Sequence, residues 1–220
     1  MFDFCNGCPI INECGYRQDK MKHLQDFFCP IRDILEIHQK DANIPARYKE
    51  VSLSSNISFR VNLKGFSDDL LNFVDERGDN LLISGASLSG KTMLGCAILN
   101  QYIIKKMRKL KGKTLVYEYP LALYQDFSVL CDLLRYDKKE EQVTELMNNV
   151  MNTPLLLLDG IDLVNVSQFV TEQANMLLNY RFNNKLSTIL ISTESFKDCL
   201  SKFKCNALEK LVKCSRQIIL

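Results

Sequence analysis

Apolar residues along this chain fall into short dense blocks separated by longer periodic stretches. Leu81 to Ser84, Thr114 to Tyr119, Leu155 to Leu158, Ser187 to Ser192 and Gln217 to Leu220 are the short blocks. The four leucines of the third fit a strand covered on both faces of a parallel sheet. The second is rich in residues that favour strands and is closed by Pro120. Between the blocks, apolar positions recur at helical spacing over Ile31–Gln39, Phe66–Val74, Thr92–Lys111, Leu121–Arg135, Glu140–Met151, Val166–Phe182 and Leu208–Lys213. The alternation predicts five parallel strands between two helical layers, a three-layer α/β fold.

The first strand runs into Gly85-Ala86-Ser87-Leu88-Ser89-Gly90-Lys91-Thr92, which opens a long helix. Strand, glycine-bearing loop and helix form the context of a phosphate-binding P-loop. Gly85 and Gly90 permit backbone angles that a Cβ would forbid, so the loop N–H groups can converge on phosphate oxygens at a helix N-terminus. Lys91 is expected to reach the β- and γ-phosphates of ATP, and Thr92 to offer its hydroxyl to Mg²⁺. Ser87 and Ser89 stand where other P-loops often carry glycine. Asp159, at the end of the leucine strand, fits the Walker B acid that holds Mg²⁺ directly or through water.

Composition narrows the setting. The chain has 220 residues, 46% hydrophobic and 25% charged, enough for a packed domain and unlike a disordered chain. A formal net charge of +2 excludes a global basic field for nucleic acid and leaves a local patch open. The basic helix end Lys105, Lys106, Arg108, Lys109, Lys111 and Lys113 reads first as cations complementing a helix C-terminus, and second as a phosphate patch. No apolar run approaches a membrane span, and the N-terminus lacks the pattern of a signal peptide, so a cytoplasmic protein is expected.

Nine cysteines are present, and four crowd the start as Cys5-x2-Cys8-x5-Cys14-x14-Cys29. In a reducing compartment that clustering speaks for metal. Four thiolates suit a tetrahedral zinc site or a [4Fe-4S] cluster equally well. His23 and His38 are substitute ligands of lower rank. Residues 1–40 therefore form a cysteine-rich unit, 41–63 a linker, and 64–220 the ATP-binding core.

The linker holds Ile44-Pro45-Ala46-Arg47-Tyr48, and a later stretch reads Asn179-Tyr180-Arg181-Phe182, four residues, then Ser187-Thr188-Ile189-Leu190-Ile191-Ser192-Thr193. With the P-loop, these resemble the DnaC/DnaI-type helicase loaders, an AAA+ branch that includes the IstB-like ATPases. The likeness runs from about Asn43 to Leu220. It implies an AAA+ core that binds ATP and Mg²⁺, oligomerises on single-stranded DNA and helps place a hexameric replicative DNA helicase.

The resemblance also implies roles that this sequence fills differently. The second acid after Walker B is Gly160, with Asp162 the nearest substitute. The sensor asparagine is Thr193, and the trans-acting arginine aligns with Lys210, with Arg216 nearby. A lysine supplies charge without the bidentate fork of arginine. ATP binding with slow hydrolysis is expected, and Glu194 is the next candidate acid. The leading reading is an ATP-binding helicase loader. An IstB-type transposition helper and a catalytically inactive helicase adaptor are the alternatives.

Overall fold

The computed structural model describes residues 30–51, 53, 70, 79–109, 118–136 and 140–220. Cys5, Cys8, Cys14, Cys29 and His23 lie outside the described residues, as does the helix expected over 66–74 apart from Leu70, which is buried. So does the strand expected over 114–119, apart from Glu118 and Tyr119, which form a bend.

Helix α1 spans Pro30–Asp41, strand β1 Leu81–Ser84, α2 Lys91–Lys109, β2 Ala122–Asp126, α3 Phe127–Tyr136 and α4 Glu140–Asn152. Strand β3 spans Leu155–Asp159, α5 Gln168–Asn183, β4 Ser187–Ser192, α6 Phe196–Phe203, α7 Asn206–Cys214 and β5 Arg216–Ile219. All five strands are parallel, in the order β2-β3-β4-β1-β5.

Side-chain alternation along the strands sorts the core into two layers. Leu82, Leu156, Leu158 and Leu190 face one apolar cluster, with Phe127, Leu177, Phe203 and Leu208 from the helices opposite. Leu81, Ile83, Leu155, Leu157, Ile189 and Ile191 face the other, with Ile98 and Ile103 of α2 and with Ala42 and Ile44 just beyond α1. The three-layer expectation is therefore met, and residues ahead of the P-loop take part in the core.

One element differs from its expected state. Residues 122–126 form a strand where the apolar spacing predicts a helix from Leu121. Ala122-Leu123-Tyr124-Gln125 contains no β-branched residue, so local preference points to helix. Pairing with β3, from Ala122 opposite Leu155 to Asp126 opposite Asp159, overrides it. Asp126 then caps α3: its Oδ1 accepts from the N–H groups of Ser128 and Val129 at 2.9 and 3.0 Å.

Arg181, part of the second resemblance motif, is a structural clamp. It is fully buried on α5, and burial lowers its pKa to about 9, so it stays protonated at neutral pH. Its guanidinium donates to the carbonyls of Val150 at 2.9 Å, Thr153 at 2.9 Å and Ser187 at 2.5 Å, and to Thr188 Oγ1 at 3.0 Å. The end of α4 and the start of β4 are thereby tied to α5. Tyr180 extends the same seam by donating to Asn152 Oδ1 at 2.8 Å.

Candidate functional site

The strands of a parallel sheet all point the same way, so their C-terminal ends share one edge. That edge collects Gly85 after β1, Asp159 at the end of β3 and Thr193 after β4. Asp162 enters from the turn that follows β3.

The loop after β1 runs close to Leu220. A Cβ on Gly85 would collide with the Leu220 carbonyl oxygen, and Leu220 N–H donates to Ser84 O at 2.8 Å. Within the loop the left-handed non-glycine residue is Leu88, with φ 62°, while neither Ser87 nor Ser89 has positive φ. Leu88 therefore marks where the loop needs glycine-like freedom, and its side chain is 91% exposed.

Lys91 opens α2 and is buried against the loop. Its Nζ donates to the carbonyls of Gly85 at 2.8 Å and Ala86 at 2.6 Å, and to Ser89 Oγ at 3.4 Å. Burial lowers its pKa, while the negative charges of Asp159 and then Asp162 oppose the shift. An ammonium so placed lies within the loop expected to bind phosphate.

Thr92 Oγ1 donates to Asp159 Oδ2 at 2.8 Å. Burial pushes the Asp159 carboxyl above the usual range; hydrogen bonds from Thr92 and Tyr124 and the charge of Lys91 pull it back. A hydroxyl and a carboxylate converging beside a lysine are the hard oxygen donors that Mg²⁺ takes, so these residues fit that ion. Tyr124, missed because β2 reads as helix, is the third member: its O–H donates to the same Oδ2 at 3.2 Å.

The residues expected to serve hydrolysis make other contacts. Gly160 has φ 72°, and its N–H and that of Ile161 both donate to Ile191 O at 3.1 Å. The chain thus turns sharply after β3 through a left-handed residue, a conformation that suits glycine and strains an acid. Asp162 then meets Thr193: Thr193 N–H donates to Oδ1 at 3.0 Å, and Thr193 Oγ1 donates to Oδ2. Glu194 is bridged by Lys202 Nζ at 2.5 and 2.6 Å to its two oxygens. Lys210 is exposed on α7 and donates to Asn179 Oδ1 at 3.2 Å. Arg216, the nearest arginine in the sequence, is exposed at the start of β5.

Among the described residues no cluster of three or more His, Cys, Asp or Glu side chains is arranged to hold a metal ion. His38 sits half-buried in α1, where burial lowers its pKa. Among the described residues no helix is long and apolar enough to cross a membrane.

No family profile and no curated protein matches this chain. Solved structures do. The DnaC helicase loader is similar at 23% identity and a TM-score of 0.62, over 80% of this chain and 99% of that one. DnaI is similar at 19% identity and a TM-score of 0.58, over 76% of this chain and 91% of that one. The replication initiator DnaA, solved with AMPPCP and single-stranded DNA, is similar at 16% identity and a TM-score of 0.60. That match covers 80% of this chain and half of DnaA. The five-stranded parallel α/β fold expected from the sequence is therefore also the fold of these structures, the DnaC helicase loader among them.

Proposed function

We propose that this chain is a replication AAA+ protein that binds ATP with Mg²⁺ and uses it as a switch in delivering a replicative DNA helicase to single-stranded DNA. One observation carries the reading: Lys91, Thr92 and Asp159 converge at the end of β1 and β3, with the lysine in the loop and the threonine on the acid. The fold shared with the DnaC helicase loader supports the cellular role, and the DnaA structure with AMPPCP and single-stranded DNA supports the ligands.

In this reading the Gly85–Thr92 backbone binds phosphate oxygens and Lys91 leaves the loop carbonyls for the terminal phosphates. Thr92 and Asp159 would hold Mg²⁺, which when bound neutralises charge on the β- and γ-phosphates. Thr193 and Asp162 brace one another at the end of β4, and Lys210 faces outward, where a neighbouring copy would meet it. Self-assembly belongs to the proposal on that ground.

A nucleotide-holding adaptor with little turnover is the second reading. The left-handed Gly160 and the Thr193-bound Asp162 favour it. Cys5, Cys8, Cys14 and Cys29 are proposed to hold zinc or a [4Fe-4S] cluster, supported by their spacing. Elemental analysis and an absorption spectrum of anaerobically purified protein test that part. Absorption near ~400 nm marks a cluster, since zinc is colourless.

The test of function is capture from defined components: purified replicative helicase or transposase on beads, with ATP, ADP or no nucleotide. The loader reading expects ATP-dependent retention on helicase. Retention on transposase alone, or no dependence on nucleotide, contradicts it.

A further inference from the structure

At the outer edge of the sheet, Tyr124 makes a contact that the P-loop pattern does not contain. Tyr124 pairs with Leu157, which places Asp159 two residues further along the neighbouring strand and on the same face. Two residues span about 6.6 Å along a strand, a distance a tyrosine ring can bridge to bring its hydroxyl to a neighbour's acid. The hydroxyl meets Asp159 Oδ2 at 3.2 Å, the oxygen that also accepts from Thr92. Phenylalanine there would fill the same space and leave the acid with one donor fewer.

The backbone of Tyr124 is held from the other side. Among the described residues β2 is an edge strand of the sheet, paired there with β3. On its open side Tyr124 N–H donates to Ala42 O at 2.8 Å, and Asn43 Nδ2 donates to Tyr124 O at 3.3 Å. Asn43 is left-handed, with φ 53°, and ends the turn that follows α1. The next residues are pinned to α2. Asn100 donates to Tyr48 O at 2.9 Å and Val51 O at 2.8 Å, and accepts from Gln39 Nε2 at 2.9 Å. A chain of direct contacts thus runs from the segment ahead of the core, through one edge-strand residue, to the acid of the phosphate site.

Resting on the nucleotide reading above, we propose that Tyr124 is a positioning residue of the magnesium site, fixing the Asp159 carboxylate through its hydroxyl and itself fixed by the Ala42–Asn43 turn. A carboxylate already held by two donors needs less reordering when an ion arrives. Partners that orient a metal-binding carboxylate commonly change metal affinity by about 10- to 100-fold when lost. A single contact of 3.2 Å belongs at the lower end of that range.

The experiment titrates Mg²⁺ against binding of a fluorescent ATP analogue to the full chain, starting in excess chelator. Wild type, Tyr124→Phe and Asn43→Gly are compared; glycine keeps the left-handed turn and removes only the side-chain bond. Tyr124→Phe is expected to raise the Mg²⁺ midpoint roughly tenfold, a larger change than any in affinity measured without Mg²⁺. Asn43→Gly is expected to raise the midpoint about two- to threefold, since it acts through Tyr124. A Tyr124→Phe midpoint at or below that of wild type overturns the proposal while the nucleotide reading stands. An unchanged Asn43→Gly midpoint overturns the part assigned to the turn. A wild type that binds no analogue with or without Mg²⁺ overturns both readings.

Discussion

On the phosphate-loop side, Lys91, Thr92, Tyr124 and Asp159 bond to one another or to the loop that surrounds them. On the β4 side, Asp162 is taken up by Thr193, Glu194 by Lys202, and Lys210 by Asn179. The first set is arranged around one point, the end of β1 and β3. The second is divided into pairs, each satisfying its own charge or hydrogen bonds. Binding a nucleotide needs convergent donors and one acid, whereas hydrolysis needs a group able to orient water. Under the proposed reading, the contrast is that of a protein that binds ATP and hydrolyses it slowly.

Removing a member of the convergent set gives the largest expected effect. Lys91→Ala should weaken ATP binding by on the order of 100-fold, because charge-assisted bonds to phosphate are worth about 1.5–3 kcal/mol. Titration calorimetry checks it. Affinity within threefold of wild type would break the comparison, since the loop would then not be the binding half.

Gly160→Glu comes next. An acid restored beside Asp159 is the obvious repair, but φ 72° strains any side chain there, and Leu163 crowds the position. The expected outcome is a loss of about 1–2 kcal/mol in chemical denaturation, with no gain in turnover. Increased hydrolysis would show that the missing acid alone separates the two halves.

Asp162→Asn is predicted to cost about 1 kcal/mol of stability and leave ATP affinity within about twofold, because Asp162 braces Thr193. Turnover reduced more than tenfold at unchanged stability would instead make Asp162 the working acid, as an interaction used only in the transition state behaves.

Leu88→Gly carries the smallest effect. Relief of the left-handed strain, about 1 kcal/mol, is largely offset by the entropy glycine adds to the unfolded chain. Stability should move by less than about 0.5 kcal/mol and ATP affinity by less than threefold. A large fall in affinity would place the exposed leucine in the binding half.

Much of the convergent half was legible because local rules dictate it. The glycine, lysine and threonine spacing after an apolar block, and an acid closing four leucines, are fixed by backbone geometry and by burial on both faces of a sheet. Tyr124 was not legible, because its strand exists through pairing with β3 against its own helical preference. Leu88 was hidden for a related reason: the loop's left-handed position is set by the fold, while attention falls on the serines beside it. The Arg181 motif was visible as a resemblance, yet its hold on the carbonyls at the end of α4 depends on contacts some 30 residues apart. The pairing of Asp162 with Thr193 joins side chains 31 residues apart across two strand ends, which spacing alone does not reveal.

ATP turnover by the 220-residue chain, with and without single-stranded DNA and at ATP concentrations shown by calorimetry to saturate it, tests the central claim most directly. The account predicts saturable Mg²⁺-dependent binding with turnover far below the roughly 1 s⁻¹ that marks the lower end of ordinary enzymes. Saturable binding accompanied by fast, DNA-stimulated hydrolysis would contradict it, because the β4 side would then hold a working acid.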